Sequence, residues 1–340
     1  LVTVAEAAKP LAVFTDPEEL DIEPGRRILE EAGFDVLLLG SRDQERIAKE
    51  ASEAIALIIG YTRIDAQLLD SLRRLRIVAT VSVGVDTIDL KATEERGITV
   101  TNVPDAATEE VAAHALALAL CLIRRIPAFH RDVRGGMWSV ETTAGVHRPS
   151  TMTIGVVGLG RIGRRLAHIA APIFGRLVGT DAYLPAESWP AGVERCTLEE
   201  VLGLSDVVSL HVPAQAGDEP LLDERRLSLL RTGAVVVNVS RGSLVDEKAL
   251  LAALDSGHLS GAGLDVLRDE PPRVDDPLLA HPLAVITPHV AYLSEESAFE
   301  YAVRAAENVA DWAAGKTPRN IVVAGDQRTV GESGVNTWAS

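Results

Sequence analysis

At 340 residues the chain is too long for one ordinary α/β core and too short for three, so two domains are expected. With 47% hydrophobic and 24% charged residues it has the composition of a folded globular protein, which confines disorder to the ends. Its 33 Lys and Arg against 49 Asp and Glu leave a net charge of -16, the wrong sign for neutralising phosphates or anionic lipid, so neither nucleic acid nor a membrane is an expected partner.

From Pro10 to about Val103, short β-branched runs alternate with amphipathic stretches. LAVFTD, FDVLLLG, AIALIIG, IVATVSV and ITVTNV read as strands, with EPGRRILEEAG and LKATEERG among the segments between them. Strands that are apolar at nearly every position and joined by helices belong to a parallel sheet covered on both faces. A single helix is predicted next, over about 108–133, capped by Thr108 or Asp105 and carrying AAHALALALCLI in its middle. That run is unusually apolar for a surface helix, so it is expected to lie between domains or against a second subunit. GGMWS and the polar stretch to Ser150 read as a connecting loop.

A second βαβ series opens at Thr151, with TIGVVGLG, RLVGTD, DVVSLHV, AVVVNVS, GAGLDV and LAVITPH as its strands. The last helix is predicted from Ser294 to Ala314, stopped by Gly315 with Pro318 just beyond, and the polar segment after Val323 is expected to be mobile. No apolar run is long enough to cross a bilayer, and the basic-then-apolar pattern of a secretory signal is missing, which predicts a cytoplasmic protein. Cys121 and Cys196 are the only cysteines, too few for a disulfide framework or a thiolate metal cluster, and no metal site is predicted.

IGVVGLGRIG sets Gly158, Gly160 and Gly163 in the G-x-G-x-x-G spacing, where a buried strand turns into a helix that starts near Arg161. Gly158 permits the tight turn, Gly160 lets backbone approach a pyrophosphate, and Gly163 lets helix and strand close up. The first helical amides, at Arg161 and Ile162, then face the anion. Glycines also end strands for packing reasons alone, so the next strand carries weight: RLVGTD ends in Asp181, whose carboxylate can accept both ribose hydroxyls. It would repel a 2′-phosphate, and Ala182 and Tyr183 offer no arginine to bind one. NAD is therefore the expected cofactor.

Three later strand ends carry polar residues: VVVNVSRGSLVDEKAL, GAGLDVLRDEPP and ITPHVAYLSEES. With VVGLGRIG and SLHVP, these ordered motifs resemble the D-isomer-specific 2-hydroxyacid dehydrogenase family from about Leu75 to Val322. The resemblance implies α/β architecture with two doubly wound parallel-sheet domains. They are a Rossmann NAD-binding domain over 104–291 and a discontinuous, flavodoxin-like substrate-binding domain over 1–103 and 292–323, followed by a flexible tail over 324–340. It also implies that Arg241 binds the substrate carboxylate and carbonyl, a task that suits a planar guanidinium fork. His289 would give a proton to the carbonyl oxygen as hydride arrives from NADH, and Glu270 would orient the imidazole and hold its protonated form. Singly, a histidine after proline can cap a strand and an arginine can bridge surface carboxylates. All three behind a dinucleotide loop are hard to obtain by packing alone.

The same resemblance gives Asp265 the nicotinamide carboxamide, places Val212, Pro213 and Val239 along the cofactor, and assigns the backbone amides around Val83 and Gly84 to the substrate carboxylate. Tyr292 stands near the substrate. Domain closure about hinges near 102–106 and 289–293 would exclude water, and a homodimer would be built on the 108–133 helix. NVPDAATEEVA and PHVAYLSEES are most similar to the C-terminal-binding-protein branch, whereas TVSVGVD is similar to glyoxylate and hydroxypyruvate reductases. That corepressor branch has an arginine at the position of Thr80 and a tryptophan at that of Tyr292, while formate dehydrogenases have glutamine at that of Glu270. No regulatory domain is expected after residue 323, which argues against a long-form phosphoglycerate dehydrogenase but leaves a short form open. The expected activity is NAD-dependent interconversion of a D-2-hydroxy acid and its 2-oxo acid. Few basic residues flank the candidate cleft, which favours small or medium side chains over polyanions. The alternative is an NAD(H)-sensing scaffold with little turnover, which would not need Arg241, Glu270 and His289 together.

Overall fold

The structure, a computed structural model, describes residues 9–17, 20–140, 145–214 and 219–325. The chain divides into two compact units, one made of Leu1–Ala106 with Ser294–Ser340 and the other of Ala107–Leu293. Of the segments discussed above, 326–340 of the tail and 141–144 of the connecting loop lie outside the described residues.

In chain order the first unit runs β1 (Leu11–Phe14), α1 (Glu23–Glu31), β2 (Asp35–Leu38), α2 (Gln44–Glu50), β3 (Ala54–Ile59), α3 (Ala66–Ser71), β4 (Ile77–Thr80), α4 (Leu90–Glu95) and β5 (Thr99–Thr101). Each strand is short, and β3 is buried along its whole length. Asp43, Asp65 and Asp89 start α2, α3 and α4 by accepting amides of the first turn.

The second unit runs α5 (Thr108–Ile123), α6 (Ile126–Arg134), β6 (Thr153–Val157), α7 (Arg161–Ala170), β7 (Arg176–Thr180), β8 (Val193–Arg195), α8 (Leu198–Leu204), β9 (Val207–Leu210), α9 (Glu224–Ser228), β10 (Ala234–Asn238), α10 (Glu247–Asp255), β11 (Leu259–Leu264), α11 (Pro277–Ala280) and β12 (Ala284–Ile286). The chain then returns to the first unit with α12 (Glu295–Ala313) and β13 (Ile321–Val323). A reciprocal Ser294–Ser297 capping box opens α12, and Gly315, at φ +71°, follows its end.

The first sheet has the order β13-β5-β4-β3-β1-β2, parallel except for β13, which pairs antiparallel with β5. Its first five strands follow the flavodoxin-like order, whose ligand crevice lies between the ends of the first and third strands. Here that switch point is filled from within. Asp16, 5% exposed, accepts the Gly60 amide at 3.1 Å, the Tyr61 amide at 2.7 Å, the Thr15 hydroxyl at 2.6 Å and Arg42 Nε at 3.1 Å, together with the Thr62 hydroxyl. The second sheet, β12-β11-β10-β9-β6-β7-β8, is entirely parallel and has the Rossmann order with one strand added.

The helix predicted over 108–133 is two helices, bent by 59° at their junction. Arg125 takes the left-handed conformation (φ 52°), and Pro127, in the first turn of α6, lacks the N–H that would continue the ladder of α5. Neither proposed cap operates: Ala107 precedes α5 without a side-chain bond, and Asp105 instead pairs with Arg304 at 2.6 Å. The apolar run is absorbed by its own unit. A Cβ at Gly261 or Gly263 of β11 would press on Leu122 or Leu118 of α5, so these glycines let helix and sheet close up. Among the described residues no single helix is long and apolar enough to cross a membrane; α5 and α6 meet that test only as a bent pair, by length and composition.

Candidate active site

The ends of β6 and β9 meet at the switch point of the second sheet. Gly158 turns the chain at φ +92°, and a Cβ there would lie 2.6 Å from the His211 carbonyl oxygen. A Cβ at Gly163 would overlap the Gly158 carbonyl, so α7 can lie against the turn only with glycine at both places. At Gly160 a Cβ would meet nothing within 4 Å, and no side chain caps α7, so the amides of Arg161 and Ile162 open onto space at the positive end of a helix. Val212 and Pro213 continue from His211 at the edge of this corner, Val212 half-buried and Pro213 exposed.

Asp181 follows β7. Its Oδ2 accepts the Leu159 amide at 2.7 Å and its Oδ1 the Tyr183 and Leu184 amides, each at 2.8 Å. Partial burial pushes this carboxyl up, but those three amides and the charge of Arg164 outweigh it and hold the group below the usual carboxylate range. A carboxylate offers roughly four acceptor positions, so Asp181 retains capacity for a hydroxyl donor. A glycine corner, an open helix N-terminus and a charged carboxylate at the next strand end fit a dinucleotide. His211 Nε2 lies 2.8 Å from Ser209 Oγ, while its Nδ1 is sealed from solvent without a partner among the described residues. Burial pushes its pKa down to about 3, so the ring beneath the glycine corner is neutral.

Along the same edge, β10, β11 and β12 present the other polar residues. Asn238, buried at the end of β10, donates to the Arg241 carbonyl at 2.8 Å and accepts the Ser240 amide at 3.1 Å, which shapes the turn carrying Arg241. Arg241 Nη1 donates to the Ser240 carbonyl at 2.8 Å. Val239, between these residues, is buried.

His289 Nδ1 lies 2.6 Å from Glu270 Oε2, and Glu270 Oε1 accepts the Leu267 amide at 2.9 Å. Burial pushes the Glu270 carboxyl up. The hydrogen bond and charge of His289, the Leu267 amide and the charge of Arg241 together overcome that and set it below its ordinary range, so it is ionised near neutral pH. His289 holds the left-handed conformation (φ 54°), and its N–H is shared by the Asp265 carbonyl at 2.8 Å and the Thr287 carbonyl at 3.0 Å. Asp265, 1% exposed, accepts the Val290 amide at 3.0 Å, the Ala291 amide at 2.9 Å and the Thr287 hydroxyl at 2.5 Å. Its carboxylate is thus turned toward the segment bearing His289. Tyr292 is half-buried at the end of that segment.

In the first unit, the loop after β4 has its carbonyls turned inward: Thr80 Oγ1 donates to Ser82 O at 3.0 Å, Asn102 Nδ2 to Val83 O at 2.7 Å and Ser82 Oγ to Gly84 O at 2.7 Å. The Val83 and Gly84 amides have no acceptor among the described residues. Adjacent outward amides of this kind suit an anion. No group of three or more His, Cys, Asp or Glu residues among the described residues is arranged to hold a metal ion.

Residues 116–291 match the family described as D-isomer specific 2-hydroxyacid dehydrogenase, NAD binding domain. The chain belongs to this family. It is 40% identical over 268 residues to a glyoxylate reductase of Korarchaeum cryptofilum, covering 76% of this chain and 79% of that protein. It is 33% identical over 292 residues to a D-3-phosphoglycerate dehydrogenase of Archaeoglobus fulgidus, covering 85% of this chain but only 55% of the relative. The chain thus matches about half the length of such phosphoglycerate dehydrogenases. Among solved structures, a D-lactate dehydrogenase from Aquifex aeolicus, complexed with NAD and lactic acid, has a TM-score of 0.84 at 28% identity over 93% of this chain and all of that one. The second unit accordingly contains the NAD-binding Rossmann domain of this family.

Four supporting residues escaped the sequence reading. Asn238 lies inside the motif NVSRGS, where its Asx turn was a legible signal. Gly242, in the same motif, has no space for a side chain, because its Cβ would overlap the Leu267 carbonyl and the Arg268 amide nitrogen. Thr287 and His114 meet at 3.0 Å across 173 positions of sequence, a pairing that no local pattern reveals.

Proposed function

We propose that the chain is an NAD-dependent D-2-hydroxyacid dehydrogenase that reduces a small 2-oxo acid or oxidises the matching D-2-hydroxy acid. The observation that carries this reading is the 2.6 Å pairing of His289 with an ionised Glu270, close enough to Arg241 for its charge to act on that carboxylate. Arg241 grips the acid by its carboxylate and carbonyl oxygens and stabilises the negative charge that develops on the latter. When bound, NADH supplies a hydride to the carbonyl carbon. Because Nδ1 of His289 faces Glu270, Nε2 is the atom that gives its proton to the carbonyl oxygen and recovers it in oxidation. Glu270 fixes that tautomer and balances the imidazolium.

The cofactor is held by Gly158, Gly160, Arg161, Ile162 and Gly163 at its phosphates and by Asp181 at its ribose, with Val212, Pro213, Val239 and Asp265 alongside. The charge on Asp181 opposes a 2′-phosphate and favours NAD. The amides of Val83 and Gly84, in the first unit, are carboxylate donors, and Tyr292, near the end of the second, is a substrate contact. A homodimer is supported by exposed apolar residues on and after α6, including Ile126, Val133, Met137 and Trp138. A cytoplasmic location is supported by two unpaired cysteines, and the absence of nucleic-acid partners by the net charge of -16.

The test is loss of NADH absorbance with glyoxylate, hydroxypyruvate, pyruvate and branched 2-oxo acids, run beside His289→Ala and Arg241→Ala. Turnover of at least one acid, reduced about 10²–10⁴-fold by His289→Ala, is expected. Undiminished turnover in that variant would refute the mechanism. Tight NADH binding without turnover of any acid would favour a sensing scaffold.

A further inference from the structure

The buried end of β11 carries a chain of hydrogen bonds that runs back to α5. The Asp265 carboxylate only accepts hydrogen bonds, so the single hydroxyl proton of Thr287, 2.5 Å from Asp265 Oδ1, is committed to it. Thr287 Oγ1 can then only accept from the group on its other side, His114 Nε2, at 3.0 Å. His114 must therefore carry a proton on Nε2. The result is a one-way chain of donors from α5 through Thr287 to a carboxylate 1% exposed. The same ring nitrogen lies 3.7 Å from Asp265 Oδ1, so its N–H dipole also offsets part of the buried charge.

What this chain grips is the segment bearing His289. The carbonyls of Thr287 and Asp265 share the His289 N–H, and the Asp265 carboxylate takes the next two amides, of Val290 and Ala291. Between those anchors His289 is held at φ 54°, a conformation that a non-glycine residue keeps only when its surroundings impose it. His114 is itself fixed, because α5 seats Leu118 and Leu122 on the glycines of β11, the strand that leads into Asp265.

We propose that His114 is a positioning residue for His289, acting as an obligate Nε2–H donor through Thr287 and Asp265. Its kinetic consequence rests on the reading of His289 as the proton-transferring group; its tautomer does not.

Two measurements test it. Long-range ¹H–¹⁵N spectra of ¹⁵N-histidine-labelled wild-type protein should show a proton on His114 Nε2. The Nδ1–H form would overturn the chain. In reduction of the accepted 2-oxo acid, His114→Leu should lower kcat by about 10²-fold, the scale of a misplaced reacting group, while KM for the acid and NADH affinity stay near wild type. His114→Gln, which keeps an N–H donor at that reach, should restore most of the loss. In a Thr287→Val background His114→Leu should add little further effect. Equal losses in the Leu and Gln variants, or fully additive losses with Thr287→Val, would show that His114 only fills space. A wild-type protein that turns over no acid would refute the proposed function, and the tautomer would still decide the chain.

Discussion

Arg241 and Glu270 keep their spacing because nothing stands between the backbone segments that carry them. Gly242 brings the turn after β10 so close to residues 267–268 that an added Cβ would overlap backbone atoms on the far side, and backbone yields only by shifting as a whole. Glu270 would shift with it, since its Oε1 is tied to the Leu267 amide. Gly242→Ala is therefore expected to destabilise the protein by about 1–3 kcal/mol in urea unfolding. It should lower kcat while leaving NADH affinity close to wild type, because the glycine corner at 158–163 is untouched. A variant with normal turnover would show that the two segments move apart freely. At this scale the motif residues were legible in the sequence because each sits at a strand end in an ordered series. His114 and Thr287 were not, since their meaning comes from a contact between α5 and the end of β12.

Strand ends in the first sheet are tied together by one buried charge. Asp16, after β1, collects donors from the loop after β3, the segment after β2 and its own neighbour, and Arg42, one of those donors, stacks over the Tyr61 ring at 4.8 Å. Asp16→Ala would strip these groups of their shared acceptor and leave buried amides and hydroxyls unsatisfied. A loss of about 2–4 kcal/mol in the stability of the first unit is expected, the scale of leaving more than one buried donor unsatisfied, since Arg42 itself stays half-exposed. Amide hydrogen exchange at Gly60 and Tyr61 should quicken while NADH binding by the second unit persists. Unchanged exchange at those amides would mean that the loops hold without the carboxylate. Five of the six strands of this sheet and six of the seven of the second were visible in the sequence because their apolar runs are continuous. β8, Val-Glu-Arg, has no apolar run, and the Ile-Val-Val of β13 lacks the flanking strand-like residues that extend the runs around β5 and β12. The division of α5 from α6 was signalled by Pro127, but the apolar run just before it masked the break.

At the scale of the whole molecule, charge and apolar surface act in opposite directions. A net charge of -16 makes two copies repel at long range, so the proposed homodimer must draw its stability from apolar burial. The exposed apolar side chains on and after α6 can supply it, Trp138 foremost at 89% exposure. Large aromatics at interface centres carry about 2 kcal/mol or more of binding energy, so Trp138→Ala should weaken the dimer by roughly thirtyfold. Because the opposing term is repulsion between like charges, raising the salt concentration should tighten association rather than loosen it. Sedimentation equilibrium of wild type and variant at low and high ionic strength separates the two contributions. Weaker association in salt would mean that ion pairs hold the copies together, and a Trp138→Ala protein as dimeric as wild type would move the interface away from this segment.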